Sequence, residues 1–187
     1  MLRKTLLLTQ IVILALALAA APAFAANYAQ TTGSSLGFSG KYQGETFNGT
    51  FPGFATTFSF DPALLANAKL DVTIPLATAT TRNADYDGEL RGTSFFNSRK
   101  FPQARYTATK FRSLGGNRYA ADGTLSLRGV SKPVTLTFTW TPGAKPVLAG
   151  TATVKRLDFG VGGGDWADTS VIPNEIKVTT KVVFVAK

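Results

Sequence analysis

The side chains that carry most enzyme chemistry near neutral pH are missing, since the 187 residues include no His and no Cys. That excludes thiolate nucleophiles, Cys/His zinc sites, His-ligated haem and every Ser-His-Asp arrangement. The remaining chemical material is 11 carboxylates, 20 Lys and Arg, 5 Tyr and many hydroxyls. Two carboxylates can act as general acid and base, as in glycoside hydrolysis. The candidates are Asp85, Asp87, Glu89, Asp158, Asp165 and Asp168, but their spacing marks no pair. Asp87 and Arg91 are four apart with the acid first, which reads as an ion pair on a solvated helix face, with Asp85 and Glu89 on the neighbouring stripe. Arg82, Arg91 and Lys100 are candidates for an anionic head group if their segment borders a site, Arg being suited to bidentate phosphate contacts. The glycines between Gly160 and Gly164 offer amides to an anion. Asp165 and Asp168 beside them oppose one, so this stretch reads as a flexible loop. No metal site and no catalytic cofactor are expected.

Candidates need elements to position them, and the chain begins with a segment that does not belong to that framework. Arg3 and Lys4 precede an apolar run, Leu6 to Ala21, broken only by Thr9 and Gln10, and Ala23-Phe24-Ala25 offers a signal-peptidase site. Residues 1–25 therefore read as a cleaved signal peptide, and residues 26–187 as a single exported domain, periplasmic or secreted. The strictly apolar stretch from Ile11 is shorter than the ~20 residues a membrane span needs. Without Arg3 and Lys4 the chain keeps 18 basic and 11 acidic residues, a net charge of +7. The cations are scattered, with only Arg99-Lys100 and Lys155-Arg156 adjacent. That pattern suits a solvated surface in an anionic envelope, with transient membrane contact, rather than a nucleic-acid site.

Beyond residue 26 the hydrophobic period is two. Leu36 and Phe38, then Phe47, Gly49 and Phe51, then Phe54, Phe58 and Phe60, alternate with small polar residues. So do Leu70, Val72 and Ile74; Ala104, Tyr106 and Ala108; Tyr119 to Leu127; and Val134, Leu136, Phe138 and Trp140. Leu148 to Lys155 and Ile176 to Val185 complete the set. Gly115-Gly116-Asn117, Arg128-Gly129 and Pro142-Gly143 supply the reversals. With Pro52-Gly53 as a bulge inside one bent strand, the count is eight, which closes most economically into an antiparallel barrel, an open sandwich being the alternative. Between Pro75 and Pro102 the spacing predicts one short helix capped by Asn83, with Asp85 and Asp87 in its first turn and Gly92 past its end. The second long connection is Asp158 to Pro173. Both are candidates for the rim of a site.

Leu90-Arg91-Gly92, Phe95-Phe96-Asn97 and Lys100-Phe101-Pro102 come first in a set of short motifs. Gly123-Thr124-Leu125-Ser126-Leu127-Arg128-Gly129-Val130, Lys132-Pro133-Val134, Leu157-Asp158-Phe159-Gly160 and Trp166-Ala167-Asp168 follow. In this order and spacing, from about Tyr28 to Val185, the chain resembles the YceI-like family of exported, lipocalin-like isoprenoid-binding proteins. The resemblance implies an all-β, eight-stranded antiparallel barrel with a helix beside it. It also implies an elongated apolar tunnel for a polyprenyl or other long-chain lipid, such as a quinone or fatty-acyl chain, and no catalysis. Many members carry a His just before Leu90, where this chain has Glu89, so a head-group role for that position does not transfer.

On this reading the tunnel lining is Phe38, Phe58, Phe60, Leu70, Val72, Ile74, Tyr106, Leu125, Phe138, Trp140, Val154, Phe159 and Phe184. Alternation alone leaves open whether these form a filled core or a cavity. Small residues on the same faces, Gly40, Gly49, Ala104, Ala108, Ala121, Gly123, Gly150 and Ala152, favour unfilled volume. Three function classes follow: a lipid carrier, a carboxylate hydrolase on a β scaffold, and an eight-stranded outer-membrane barrel. A hydrophobic small molecule is the expected partner. The oligomeric state is open, a homodimer included.

Overall fold

A computed structural model describes residues 25–187. The leader expected over residues 1–25 falls, but for Ala25, outside them. Ten strands are present: β1 (Ala26–Gln30), β2 (Ser35–Tyr42), β3 (Glu45–Thr50), β4 (Ala55–Phe60), β5 (Lys69–Pro75), β6 (Gln103–Gly115), β7 (Arg118–Leu127), β8 (Val130–Thr141), β9 (Val147–Lys155) and β10 (Glu175–Ala186). All pairings are antiparallel. β1 and β2 lie end to end along β10, pairing with Phe184–Ala186 and Lys177–Lys181 respectively. β3 and β4 form a second bent stave, pairing with β2 and β1. Ten strands thus make eight staves, and the register Tyr28↔Ala186 with Tyr28↔Phe58 closes the ring. The barrel, not the sandwich, is the result. β1 is an addition to the sequence reading, which began the first stave at Leu36. The bend between β3 and β4 is a full turn at Pro52-Gly53, in which Phe54 N–H donates to Phe51 O (3.3 Å).

The one helix, α1 (Ala84–Arg91), begins and ends where its residues dictate. The Asn83 side chain accepts from the N–H groups of Asp85 (3.0 Å) and Tyr86 (3.2 Å), satisfying two of the donors a helix start leaves free. Gly92 N–H closes the other end on the carbonyls of Gly88 and Glu89. The β7–β8 turn has positive φ at both Arg128 (51°) and Gly129 (77°), a geometry that normally selects Asn-Gly. Arg128 is held there by its guanidinium, which donates to Thr93 O at 3.0 Å.

Most apolar residues face inward and most outward positions are polar, as with Thr135, Thr137 and Thr139 on β8 between buried Leu136, Phe138 and Trp140. An outer-membrane barrel has the opposite polarity. No helix among the described residues is long and apolar enough to cross a membrane.

On the outer wall, Asp122 of β7 accepts from Arg112 Nε (2.7 Å) and Nη2 (3.2 Å) and from Thr135 Oγ1 (2.8 Å). The Arg112 contact, then the Thr135 hydroxyl, hold its carboxyl at about 2. The pKa is lower folded than unfolded, so this carboxylate stabilises the protein above about pH 4 and the contribution is lost as pH falls through its folded value. Stability measured by denaturant titration is expected to decline from about pH 4 to pH 2, and Asp122→Asn to make that decline shallower. An unchanged slope in the variant would remove Asp122 from the acid transition.

Candidate functional site

Half of the barrel is solid and half is hollow. At the end where β4 finishes and β5 starts, the rings of Tyr28, Phe58, Phe60, Phe111, Tyr119, Phe138, Trp140 and Phe184 pack together, with ring centres from 4.9 Å (Phe58–Phe60) to 6.4 Å (Tyr28–Phe58) apart. Such offset and edge-on pairs are the favourable aromatic geometries. At the other end, between Leu36 and Phe38 of β2, Val72 and Ile74 of β5, Val134 and Leu136 of β8, Ala152 and Val154 of β9, and Ile176 and Val178 of β10, lies a cavity of about 190 Å³. Val72, Ile74, Val154, Ile176 and Val178 are only partly buried although they face inward, because they border this space rather than other side chains.

Of the residues expected to line a tunnel, Phe38, Val72, Ile74, Tyr106, Leu125 and Val154 border the cavity. Phe58, Phe60, Phe138, Trp140 and Phe184 instead form the solid half, while Leu70 and Phe159 are core residues outside the lining. Period two gives the face of a strand and says nothing of height along the barrel axis, so the two sets look alike in sequence. Of the small residues, Ala104 and Ala152 border the cavity as expected, but three of the glycines behave differently. A Cβ on Gly49 would collide with the Phe38 ring, one on Gly123 would lie 2.6 Å from the Tyr106 ring, and one on Gly150 would lie 2.9 Å from Phe138 Cβ. Gly49 and Gly123 each seat a neighbouring aromatic ring, Gly150 is covered by the Phe138 Cβ, the Thr137 carbonyl and Leu136, and none of the three leaves a void. The hollow comes from the aliphatic residues near the lid.

The lid consists of the two long connections. From the first, Leu76, Leu90, Phe95 and Phe96 reach the cavity, and from the second Arg156, Val161 and Ile172. Gly162 N–H donates to Ser94 O (2.8 Å) and Gln43 N–H to Val171 O (2.9 Å), joining both connections and the β2–β3 turn. Trp166 lies 5.5 Å from Phe95 and 6.3 Å from Tyr42, ring centre to ring centre.

Arg156 organises the second connection. Its side chain is 3% exposed, and its five N–H groups donate to backbone carbonyls: Nε to Pro173 (3.2 Å), Nη1 to Val161 (3.1 Å) and Gly162 (2.5 Å), Nη2 to Trp166 (2.8 Å) and Ile172 (2.6 Å). Burial pulls its pKa down, and no carboxylate lies within salt-bridge distance among the described residues. The glycine-rich stretch expected to be a flexible loop is therefore wound around one cation. A Cβ on Gly162, at φ 64°, would meet Arg156 Nη1 at 2.6 Å. The sequence did carry a signal for this residue: Ala152, Val154 and Arg156 continue one inward parity.

The other polar atoms of the lining are also committed to the backbone. Tyr106 OH donates toward Ala121 O (2.8 Å) and Val134 O (3.1 Å), and burial raises its pKa well above that of an ordinary phenol. Thr180 Oγ1 donates to Ser35 O (3.3 Å). An occupant thus meets apolar surface and spent hydrogen-bonding groups.

The charged candidates sit elsewhere. Asp87 is buried, not solvated as expected: it accepts from Thr80 Oγ1 (2.7 Å), Thr81 N (2.6 Å) and Thr81 Oγ1 (2.8 Å), with Arg91 at 3.8 Å. Burial alone would raise its pKa, but the contacts from Thr81 and Thr80, with Arg91, outweigh it and leave it lowered. Asp87 ties the helix to the preceding strap, and Arg91 adds a bond to Ala79 O (3.3 Å). Lys100 Nζ stands 5.3 Å over the Phe101 ring. Arg82 is exposed, at φ 64°. None of the three cations lines the cavity. Asp85, Glu89, Asp158, Asp165 and Asp168 are exposed, and no group of three or more metal-ligating side chains occurs among the described residues.

Comparison with known proteins adds ancestry to this geometry. The model of the YceI-like domain matches residues 28–184. A UPF0312 protein of Photorhabdus laumondii is 39% identical over 140 residues, 73% of this chain and 71% of that protein. Protein YceI of Escherichia coli O157:H7 is 41% identical over 101 residues, 54% of this chain, and the match spans about half of that relative (49%). Among solved structures, Burkholderia cenocepacia BcnA superposes with TM-score 0.77 at 29% identity, over 80% of this chain and 95% of that one. A polyisoprenoid binding domain from Saccharophagus degradans, implicated in plant cell wall breakdown, superposes with TM-score 0.65 at 15% identity, over 87% and 99% respectively, which speaks to fold alone.

Proposed function

The chain belongs to the YceI-like family, and on that premise we propose that it binds and carries an apolar lipid of isoprenoid, quinone or fatty-acyl type in the lid-half cavity without converting it. The observation that carries this reading is the cavity lining: aliphatic and aromatic side chains throughout, with the polar atoms of Arg156, Tyr106 and Thr180 already bonded to backbone. Such a surface reads the girth and length of a chain and offers no proton donor or acceptor to a reaction. The binding named for the Saccharophagus domain is of the same chemical kind. The carboxylate-hydrolase alternative has no comparable support, because its acids are either exposed and scattered or, as with Asp87, tied into the strap. Phe38, Val72, Ile74, Tyr106, Leu125 and Val154 are the contacts carried forward from the sequence reading. Of the head-group cations, Arg91 is bonded to Ala79 O and paired with Asp87, while Arg82 and Lys100 have no side-chain hydrogen bond or ion pair among the described residues, Lys100 standing over the Phe101 ring. The basic start, apolar run and Ala23-Phe24-Ala25 site support export to the periplasm or beyond.

Native mass spectrometry of the mature protein, as purified, is the direct test. A mass adduct that organic extraction removes and identifies as a hydrophobic lipid is expected. Protein that carries none, and takes none up when offered polyprenol, quinone or fatty acid, would overturn the proposal.

A further inference from the structure

We infer that the aromatic half of the barrel is a length gauge, admitting apolar chain only to the depth of the lid half, about the extended reach of an octyl group. This rests on the lipid-binding reading and narrows it to ligands whose buried part is short. The boundary is sharp along single strands. On β10 the lining runs from Ile176 to Thr180, and the next inward side chain, Val182, is 2% exposed and outside it. On β8 the lining ends at Leu136, and the next inward residue is Phe138, 2% exposed. Phe138 also covers Gly150 of β9, one inward position beyond the lining residue Ala152. The floor is therefore the Phe138 side chain, its Cβ close against a glycine and its ring backed by Phe58 and Phe60 with ring centres 6.0 and 5.8 Å away.

The four steps from Ile176 to Thr180, at about 3.3 Å each, span roughly 13 Å along the strand. Strand tilt of about 40° reduces this to roughly 10 Å along the barrel axis. An extended chain advances about 1.3 Å for each C–C bond of about 1.5 Å, so this depth takes about eight carbons. A longer chain has to displace packed rings, fold back on itself or remain in solvent.

The expected pattern follows from the free energy of burying a methylene, which corresponds to about a fourfold gain in affinity per carbon. Saturated fatty acids from butanoic to eicosanoic, each below its micellar concentration, are titrated against a naphthylamine dye held in the mature protein. Affinity should climb about fourfold per carbon to near octanoic acid and then level. In Phe138→Ala the levelling point should move to longer chains. If that variant does not fold by circular dichroism, Phe138→Leu opens the same floor less and should move it in the same direction. A wild-type affinity that still climbs past hexadecanoic acid would sink the gauge. So would a folded floor variant whose levelling point stays put. Displacement by no acid of any length would instead overturn the lipid-binding reading itself.

Discussion

Arg156→Met is expected to lower stability by roughly 3–5 kcal/mol, the range for removing one member of a buried charged network. The guanidinium is already desolvated, and its five donors are matched one to one with five carbonyls. A methionine relieves the charge-burial cost but leaves five acceptors without a donor in a site closed to water, each worth about 1–3 kcal/mol when orphaned. Local relaxation recovers part of that sum, so the net effect falls near the middle. Lysine can serve at most three of the five acceptors and lacks the planar fork, so Arg156→Lys should fall between Met and wild type. Hydrogen exchange should rise first in the segment from Arg156 to Asn174. A methionine variant within about 1 kcal/mol of wild type would show that the carbonyls find other partners, and that Arg156 does not hold the lid.

The second large effect is a contrast between two alanines on inward faces. Ala152 borders the cavity, opposite Val178. Ala121 is 0% exposed, opposite Phe111 and Leu136, and lies outside the lining. Ala152→Phe should fill free space, cutting lipid retention by at least about tenfold, equivalent to the loss of roughly 1.4 kcal/mol of binding, with little change in Tm. Ala121→Phe has no space to enter and should cost roughly 1–3 kcal/mol, at about 2–4 °C of Tm for each kcal/mol in a domain of this size. Bound lipid and melting temperature measured on the same samples separate the two. Equal destabilisation by both substitutions would mean that the cavity is not open space.

Much of this architecture is legible in the residues because a β-barrel writes its inside and outside as alternate letters. Leu136, Phe138 and Trp140 against Thr135, Thr137 and Thr139 give both face and strand. Asn83 and Gly92 bracket the helix because capping is a local interaction. β1 escaped because Ala26–Gln30 is short and its inward members, Tyr28 and Gln30, make no apolar repeat. What separates Val72 from Phe58 as a cavity residue is height along the barrel axis, a product of register and tilt that no local pattern encodes. Gly49, Gly123 and Gly150 looked like absent volume because the atoms filling each belong to another strand. Asp87 resembled a surface ion-pair partner because the Thr80 and Thr81 groups that bury it precede the helix.

The pairing of Tyr28 with Ala186 has a chronological consequence. Two residues roughly 160 positions apart must meet before the wall is continuous, and both N-terminal strands of the first stave wait for β10. Pairings at such sequence separation form late and slow folding. During synthesis the growing sheet therefore carries two unpaired edges, the β1/β2 stave and β9, until the last dozen residues arrive to join them. Ile176, Val178 and Thr180 of that last strand also face the cavity, so the compartment does not exist in any partly made chain. A lipid cannot act as a template for the early sheet. It enters a finished vessel or is trapped at the moment β10 closes it.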